Sequence, residues 1–289
     1  MQGLVERLGA TSAPEGAWDE LLGGKGASLE RLIRLGANTP AGFCVTTPAF
    51  RHQLASEADA GDALEALPDE EARRRLLHIL TDAPLAEPLN ADLDAALAGL
   101  VEGHGGDAAR LAVRSSAVGE DSRMASFAGI HETELDLAAS DVEAALRRCW
   151  ASLWSERAMQ YRAARGLPLD AAMAVVVQVL VPADASAVVF TRHPVSGRDD
   201  QVVVNAISGL GEALVSGLVT PDELVLDKAT LEALSVSTAN GAAVLDDTQL
   251  RDLGSIARDL EHTFGCPIDI EAALAGGRWH VLQARPITA

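Results

Sequence analysis

The sequence predicts an α+β protein in which helices dominate the first half and strands the second. Residues 48–107 are rich in Ala, Leu, Glu and Arg and are interrupted by prolines, a composition typical of several short helices. From Met173 onward, short β-branched runs alternate with polar loops, as strands do. With 289 residues, 48% of them apolar, the chain is long enough for one large domain or two lobes.

The composition narrows the classes of partner and compartment. The chain has 42 acidic and 23 basic residues and a formal net charge of −19, which argues against nucleic acid or an anionic membrane surface as a partner. Cys44, Cys149 and Cys266 are widely spaced and form no C-x-x-C pair, so they indicate reduced thiols. The N-terminal residues do not resemble a signal peptide, and no apolar run is long enough to cross a bilayer. We therefore expect a cytoplasmic protein.

Residues 20–47 predict a glycine-rich loop, a helix and a strand in that order. Gly23, Gly24 and Gly26 surround Lys25, so the backbone can approach a ligand closely while the ammonium group reaches toward it. The pattern is not a Walker A loop. A flexible turn with one exposed lysine is the alternative interpretation.

A second polar stretch begins where a strand enters a loop of small residues that ends near Thr133. Such a loop would suit a flap that closes over phosphate groups. The guanidinium would supply charge, the hydroxyls hydrogen bonds and the glycine close backbone approach, in a set made of Arg114, Ser115, Ser116, Gly129 and Thr133. The alternative is a surface loop whose arginine pairs with a nearby carboxylate.

The middle of the chain predicts a core helix and a strand with one unusual residue. A long helix capped by Ser140 and Asp141 is expected to run to Gly166, with large apolar side chains at helical spacing facing the core. Gln178 lies inside an apolar strand. It must therefore be hydrogen-bonded, either to neighbouring backbone or to a ligand edge such as that of adenine.

The C-terminal stretch predicts a β-hairpin that gathers polar groups on one face. A three-residue loop, Gly276–Arg278, would pair Glu271 with Gln283 and Asp269 with Arg285. Opposed Cβ atoms lie roughly 5 Å apart, so a carboxylate and an amide oxygen could hold one divalent cation. That arrangement suits a magnesium nucleotide. The alternative is an exposed hairpin whose polar side chains pair with one another.

Several common catalytic motifs are absent from the sequence. It contains no G-x-S-x-G, no H-E-x-x-H and no G-x-G-x-x-G. These absences argue against hydrolase triads, zinc proteases and dinucleotide oxidoreductases.

Six blocks, in the same order, resemble the nucleotide-binding domain of the phosphoenolpyruvate synthase and pyruvate phosphate dikinase family, which rifampicin phosphotransferases share. The blocks are LGGKGASLERL with TPAGFCVTT, AVRSSAVGEDSRMASFAGIHET, SLWSERAMQYR, VVFTRHPVSG, NAISGLGEALVSGLVTPDELVLDK and IEAALAGGRWHVLQARPIT. The resemblance implies an ATP-grasp fold with ATP bound between two lobes. We expect a first lobe with a helical insert at residues 1–175 and a sheet-rich second lobe at 176–289.

The resemblance also implies roles for individual residues. Lys25, Arg114 and Arg285 would act on the phosphate chain of ATP as the catalytic cations. Glu271 and Gln283 would bind Mg²⁺. The loop that covers the phosphates would include Gly129 and Thr133, and Gln178 would lie near the base. Three positions depart from the usual family pattern without removing a phosphate or metal ligand, namely Ala187, His193 and Ala272.

We therefore expect an ATP-dependent phosphotransferase component that uses ATP and Mg²⁺. The resemblance implies transfer of the β-phosphate, with release of AMP and phosphate, to a histidine on a partner domain or subunit. None of the seven histidines lies in the T-S-H-like setting of the family's phosphorylated histidine. Two alternatives are a kinase that phosphorylates a small molecule directly and a nucleotide-sensing module without turnover.

Overall fold

The computed structural model of the protein describes residues 3–119, 121, 122, 125, 126, 133–166 and 171–287. The chain forms two compact units, Met1–Arg31 with Ala41–Leu180 and Leu32–Pro40 with Val181–Ala289. Each unit contains an antiparallel sheet together with helices, which confirms the mixed helix and sheet class.

The helices of the described residues carry the following bounds. The α-helices are α1 Trp18–Arg34, α2 Thr47–Ser56, α3 Ala60–Glu65, α4 Glu70–Asp82, α5 Leu89–Glu102, α6 Val142–Ser152, α7 Glu156–Arg165, α8 Glu212–Val215 and α9 Asp247–Phe264. Short 3₁₀ turns occur at Glu15–Ala17, Gly106–Ala108 and Ala139–Asp141. In the part of the chain that the structure describes, no helix is long and apolar enough to cross a membrane.

The strands form two large sheets and one short ribbon. They are β1 Val5–Arg7, β2 Gly42–Val45, β3 Leu111–Ala117, β4 Asp121–Ser122, β5 Ala125–Ser126, β6 Thr133–Leu137, β7 Met173–Val179, β8 Ala185–Phe190, β9 Gln201–Ser208, β10 Asp222–Asp227, β11 Ala233–Ser237, β12 Ile268–Ala275 and β13 Arg278–Pro286. The first sheet has the order β1-β2-β7-β3-β6, the second β11-β10-β9-β8-β12-β13, and β4 pairs with β5.

The first sheet has one apolar face and one face that carries polar side chains. Alternate residues of β2, β3 and β7, such as Val45, Val113 and Val177, join a buried cluster with helices α2 to α6. Phe50 packs against Trp150 and Trp154 in this cluster, with ring centroids 5.6 and 5.9 Å apart. The other face of the three strands is the one that faces α1, whose Gly26 N–H donates a hydrogen bond to the Ser116 hydroxyl of β3.

The expected long helix after residue 141 is two helices, which corrects the prediction of one. α6 ends at Ser152, and the Ser155 hydroxyl accepts a hydrogen bond from the N–H of Ala158 as the N-cap of α7. This side-chain bond replaces a backbone bond and so starts a new helix. Gly166 ends α7 in the left-handed conformation, as predicted.

β7 belongs to the first sheet, where it lies between β2 and β3. The sequence places the start of the sheet-rich lobe within this strand, because its β-branched run resembles those that follow. A boundary after residue 175 would cut β7, whereas the division between the two units follows Leu180. Local composition does not reveal which distant strands a segment pairs with.

The second sheet is covered on one face by α9. Leu250, Leu253 and Ala257 of this helix are buried, and Asp246 with Gln249 forms a capping box at its N-terminus. The covered face of the sheet carries apolar side chains, including Val204 and Ile270, both fully buried. The opposite face carries the polar residues of the hairpin.

Candidate nucleotide site

The glycine-rich stretch forms a break inside α1. Gly23 has φ 69° and ψ 176°, outside the helical region, and separates a short first turn from the rest of the helix. A Cβ atom at Gly23 would lie 1.9 Å from the carbonyl oxygen of Ser116, so only glycine fits this close approach. Lys25 follows the break and is half-buried, while its neighbours Gly24 and Gly26 are buried.

Ser116 on β3 holds the break in place. Its hydroxyl oxygen accepts a hydrogen bond from the N–H of Gly26 at 2.9 Å and donates to the carbonyl oxygen of Leu22 at 2.7 Å. The hydroxyl thus satisfies an N–H at the start of the second helical segment, which has no partner within the helix. Lys25 is consequently fixed against the face of the first sheet that carries Ser116.

Arg114, Thr133 and Gln178 lie on the same face of the first sheet. Arg114 is directly opposite Thr133 on β6 and opposite Val176 on β7. Gln178 follows Val176 by two residues, and residues two apart point to the same side of a strand. Ser116 follows Arg114 by two residues, so the helix break with Lys25 packs on this face as well.

Gln178 has a fixed place in the centre of the sheet. It is 2% exposed and lies opposite Gly42 on β2 and Ala112 on β3. A Cβ at Gly42 would lie 2.7 Å from Cγ of Gln178, so the glycine makes room for the glutamine side chain. The small neighbours on both sides explain how a long polar side chain fits inside an apolar strand.

The expected role of the two serines as phosphate ligands is wrong in this structure. The Ser116 hydroxyl is fully buried and already bonded to Leu22 and Gly26. Ser115 points to the opposite face, beside the core residues Val113 and Ala117, and its buried hydroxyl has no hydrogen-bond partner among the residues that the structure describes. Alternation along β3 places Arg114 and Ser115 on different faces, a consequence that the sequence interpretation overlooked.

The hairpin of β12 and β13 has the register predicted from the sequence. Glu271 lies opposite Gln283, and Asp269 lies opposite Arg285. Glu271 is half-buried and Gln283 is 4% exposed. Because opposed residues point to the same face, the carboxylate and the amide lie side by side, about 5 Å apart at Cβ.

The turn that produces this register differs from the prediction. Ala275 pairs with Arg278, so the turn has two residues, Gly276 and Gly277, with φ 55° and 74°. Two positive φ values are typical of a tight type I′ turn, which glycine adopts without strain. The register then shifts by one at a bulge, where Leu282 is the extra residue of β13. The bulge restores the pairing that a three-residue turn would have given.

Arg285 forms an ion pair with Asp269 on this face. Its Nε donates to both carboxylate oxygens of Asp269 at 3.0 Å. Burial raises the pKa of Asp269, and the charge of Arg285 acts in the opposite direction. The pairing that the sequence left open for the hairpin thus exists for Arg285. It also holds the guanidinium on the same face as Glu271.

The sequence does not predict two contacts near the break in α1. The hydroxyl of Ser116 was assigned to a ligand, and the carboxylate of Asp19 was not considered. Asp19 accepts a hydrogen bond from the N–H of Gly119 at 3.2 Å, where the polar loop begins, and burial raises its pKa. Both contacts join residues about a hundred positions apart, so no local pattern signals them.

The remaining predicted site residue, Gly129, lies outside the described residues, as does most of the polar loop that was interpreted as a flap over the phosphates.

His193 stands where the resembled family usually has Asn or Asp, and its hydrogen bonds explain why it fits. Its Nδ1 accepts hydrogen bonds from the N–H groups of Val195 and Ser196 at 3.2 and 3.3 Å. An Asn or Asp oxygen makes the same kind of bond in a turn.

Comparison with known proteins places the chain in a family. The model described as pyruvate phosphate dikinase, AMP/ATP-binding domain, matches residues 19–242. A rifampicin phosphotransferase from Streptomyces sp. is 39% identical over 92% of this chain and 34% of its own length. The prodigiosin synthesizing transferase PigC of Serratia marcescens is 37% identical over 92% of this chain and 31% of its own length.

A probable phosphoenolpyruvate synthase from Methanocaldococcus jannaschii is 34% identical over 93% of this chain and 26% of its own length. The chain thus spans about a third or less of these curated relatives. A solved acetyl-coenzyme A synthetase from Ca. Korarchaeum cryptofilum has a TM-score of 0.37 at 13% identity, over 75% of this chain and 91% of that chain. The family model covers more than half of the chain. The chain therefore belongs to the pyruvate phosphate dikinase AMP/ATP-binding domain family.

Proposed function

We propose that the chain binds Mg-ATP and is the ATP-binding part of an ATP-dependent phosphotransferase with an ATP-grasp fold. The observation that carries this proposal is the opposed pair Glu271 and Gln283, with Arg285 on the same face. Family membership supports the nucleotide. Variants at the proposed ligands of either unit should therefore weaken the binding of Mg-ATP.

The cations of the first unit are proposed to bind the phosphates. Lys25 lies in a turn whose backbone is fixed by Ser116, and Arg114 lies on the same sheet face. An ammonium and a guanidinium stabilise anionic oxygens through charge-assisted hydrogen bonds. Gln178, buried on this face, would then contact the base, and Thr133 with Gly129 would belong to the covering loop.

Glu271 and Gln283 are suitable ligands for Mg²⁺. Both offer oxygen atoms, the ligand type that this hard cation prefers, and two protein ligands suffice because Mg²⁺ usually keeps waters and phosphate oxygens. Within the described ranges, no cluster of three or more His, Cys, Asp or Glu side chains could hold a metal. A site completed by the nucleotide fits that result. When bound, the ion would neutralise charge on the phosphates.

The chemistry requires charge stabilisation rather than a nucleophile from this chain. Phosphoryl transfer proceeds by in-line displacement, and cations that surround the phosphates lower its barrier. Lys25, Arg114 and Arg285 are the residues proposed for that role. The proposed acceptor is a histidine on a partner domain or subunit, which would take the β-phosphate and release AMP, while one water molecule takes the γ-phosphate and so forms the free phosphate.

Nucleotide chromatography after incubation with Mg-ATP and candidate acceptors tests the proposal. AMP formation supports the histidine route, and ADP formation would indicate a kinase that acts on a small molecule directly. Tight ATP binding without product in the presence of every acceptor would favour a nucleotide sensor. No binding of Mg-ATP by the chain would contradict the proposal.

Without an acceptor, the chain should cleave little ATP. An enzyme that transfers phosphoryl groups must exclude water from the reacting phosphate, since hydrolysis would waste the nucleotide. The measurement is release of phosphate, AMP and ADP over hours with Mg-ATP alone. Fast hydrolysis with water as the acceptor would argue against a transferase.

A further inference from the structure

One row of opposed residues crosses the second sheet from β10 to β13. Glu223 lies opposite Asn205, Asn205 opposite Val188, Val188 opposite Glu271, and Glu271 opposite Gln283. Directly opposed residues of antiparallel strands point to the same face. Asn205 on β9 therefore shares its face with the proposed magnesium ligands.

Asn205 is an unexpected residue for its position. It lies in the interior of a six-stranded sheet, and Asn is disfavoured in strands. Its chain neighbours Val204 and Ala206 are fully buried on the face that α9 covers, whereas Asn205 is half-buried on the other face. Packing thus gives no reason for an amide at this point of the strand.

The side chain of Asn205 also contributes no hydrogen bond to the fold. Among the described residues, no donor or acceptor of the protein bonds its amide, although Ser186 on the same face donates to the carbonyl oxygen of Gly209. A half-buried amide without a partner lacks the stabilisation that such groups normally gain. A ligand on this face would supply that partner.

Distance and charge decide which part of a ligand the amide would meet. Strands lie about 4.8 Å apart, so Asn205 is about 10 Å from Glu271 between Cα atoms, two strands away from the proposed magnesium ligand. The row carries a carboxylate on each side of Asn205, with Glu223 on the adjacent strand and Glu271 two strands away. Anionic phosphates on such a face need a donor.

We infer that Asn205 donates a hydrogen bond from its side-chain N–H to a phosphate oxygen of the metal-bound nucleotide, on the side of the metal away from Gln283. The inference rests on the proposed function and adds a specific phosphate contact to it. Asn205 would orient the phosphate chain along the row of opposed residues. Its amide supplies a donor without adding a charge.

Titration calorimetry with Mg-ATP on the whole chain tests the contact. Asn205→Ala should bind Mg-ATP about tenfold more weakly, the effect of one hydrogen bond to a charged group. Asn205→Asp should bind more weakly still, because a carboxylate repels phosphate. Glu223→Gln is the matched control, since it changes the adjacent residue of the same row and removes no donor, so it should not weaken the binding of Mg-ATP.

Thermal unfolding without nucleotide separates a ligand contact from a structural role. Asn205→Thr should melt at the same or a higher temperature than the wild type, because Thr suits a strand better and no hydrogen bond is lost. A clear drop in the melting temperature would overturn the inference, as would wild-type affinity in Asn205→Ala. Wild-type affinity in Asn205→Asp would also overturn it. If the wild type itself failed to bind Mg-ATP, the proposed function would fail first.

Discussion

The hydroxyl of Ser116 joins β3 to the break in α1: it accepts from the N–H of Gly26 at 2.9 Å and donates to the carbonyl oxygen of Leu22 at 2.7 Å. These two bonds fix the backbone on both sides of Gly23 and so position Lys25. The hydroxyl of the preceding residue, Ser115, lies on the opposite face of the sheet. It points into the apolar core and has no hydrogen-bond partner within the described part of the chain.

Replacing the two adjacent serines should therefore have opposite effects on stability. Ser116→Ala leaves a buried N–H and a carbonyl oxygen without their partner and should lower the unfolding free energy by about 1–3 kcal/mol. Ser115→Ala removes an unsatisfied buried hydroxyl and should raise it by about 1 kcal/mol. Chemical denaturation of both variants measures the difference. Equal effects would contradict the assignment of the hydrogen bonds.

Lys25→Ala and Arg114→Ala should each weaken ATP binding with little effect on folding. Each removes a charge-assisted hydrogen bond to phosphate, worth about 1.5–3 kcal/mol, or roughly ten- to a hundredfold in affinity. Calorimetry with Mg-ATP and melting curves without nucleotide give the two values. Arg31→Ala is the control, since Arg31 lies on the same helix and pairs with Glu15 on the surface. It should leave affinity unchanged.

Glu271→Gln should weaken the binding of Mg²⁺ with the nucleotide more than it affects the fold. The substitution keeps the shape of the side chain and replaces a charged ligand of a hard cation by a neutral one. ATP affinity titrated against Mg²⁺ concentration should require at least tenfold more Mg²⁺ for half-saturation. An unchanged magnesium dependence would mean that the metal does not bind this residue.

His280 should contribute to a loss of stability in mild acid. Burial, followed by the charge of Arg278, lowers the pKa of His280 in the folded protein, and Asn38 donates to its Nδ1 at 3.3 Å. As the pH falls below about 6.5, the unfolded chain binds a proton at His280 before the folded protein does. The free energy of unfolding therefore decreases from that pH until the lowered pKa of the folded protein is passed. His280→Gln should therefore lose less unfolding free energy than the wild type between pH 7.5 and 5. Parallel stability curves would exclude this role.

The sequence predicts best where local patterns determine the outcome. Alternation along the hairpin places Glu271 and Gln283 on one face, and Asp246 with Gln249 starts α9 as capping rules require. The sheet that β7 joins depends on β2 and β3, about 60 to 130 residues away, and no local pattern encodes that choice.

Competing local signals account for other errors. Ser155 lies within a helical apolar stripe and still begins a new helix, because its hydroxyl accepts a hydrogen bond from the N–H of Ala158. Ser116 lies in a small, polar segment that is typical of a ligand-binding loop, but its hydroxyl bonds the protein's own backbone. In both cases a serine hydroxyl can bond more than one kind of partner, and the tertiary structure determines which partner lies near it.

The bulge at Leu282 shifts the register of the hairpin by one residue and so compensates for the short, two-residue turn. Without the bulge, the same turn would place Gln283 opposite Ile270, on the face that α9 covers, and away from Glu271. Deleting Leu282 should therefore leave Gln283 opposite Glu271, because the deletion removes the extra residue of the bulge and keeps the two-residue turn. A three-residue turn over the unchanged sequence would keep this pairing only if the bulge were lost as well.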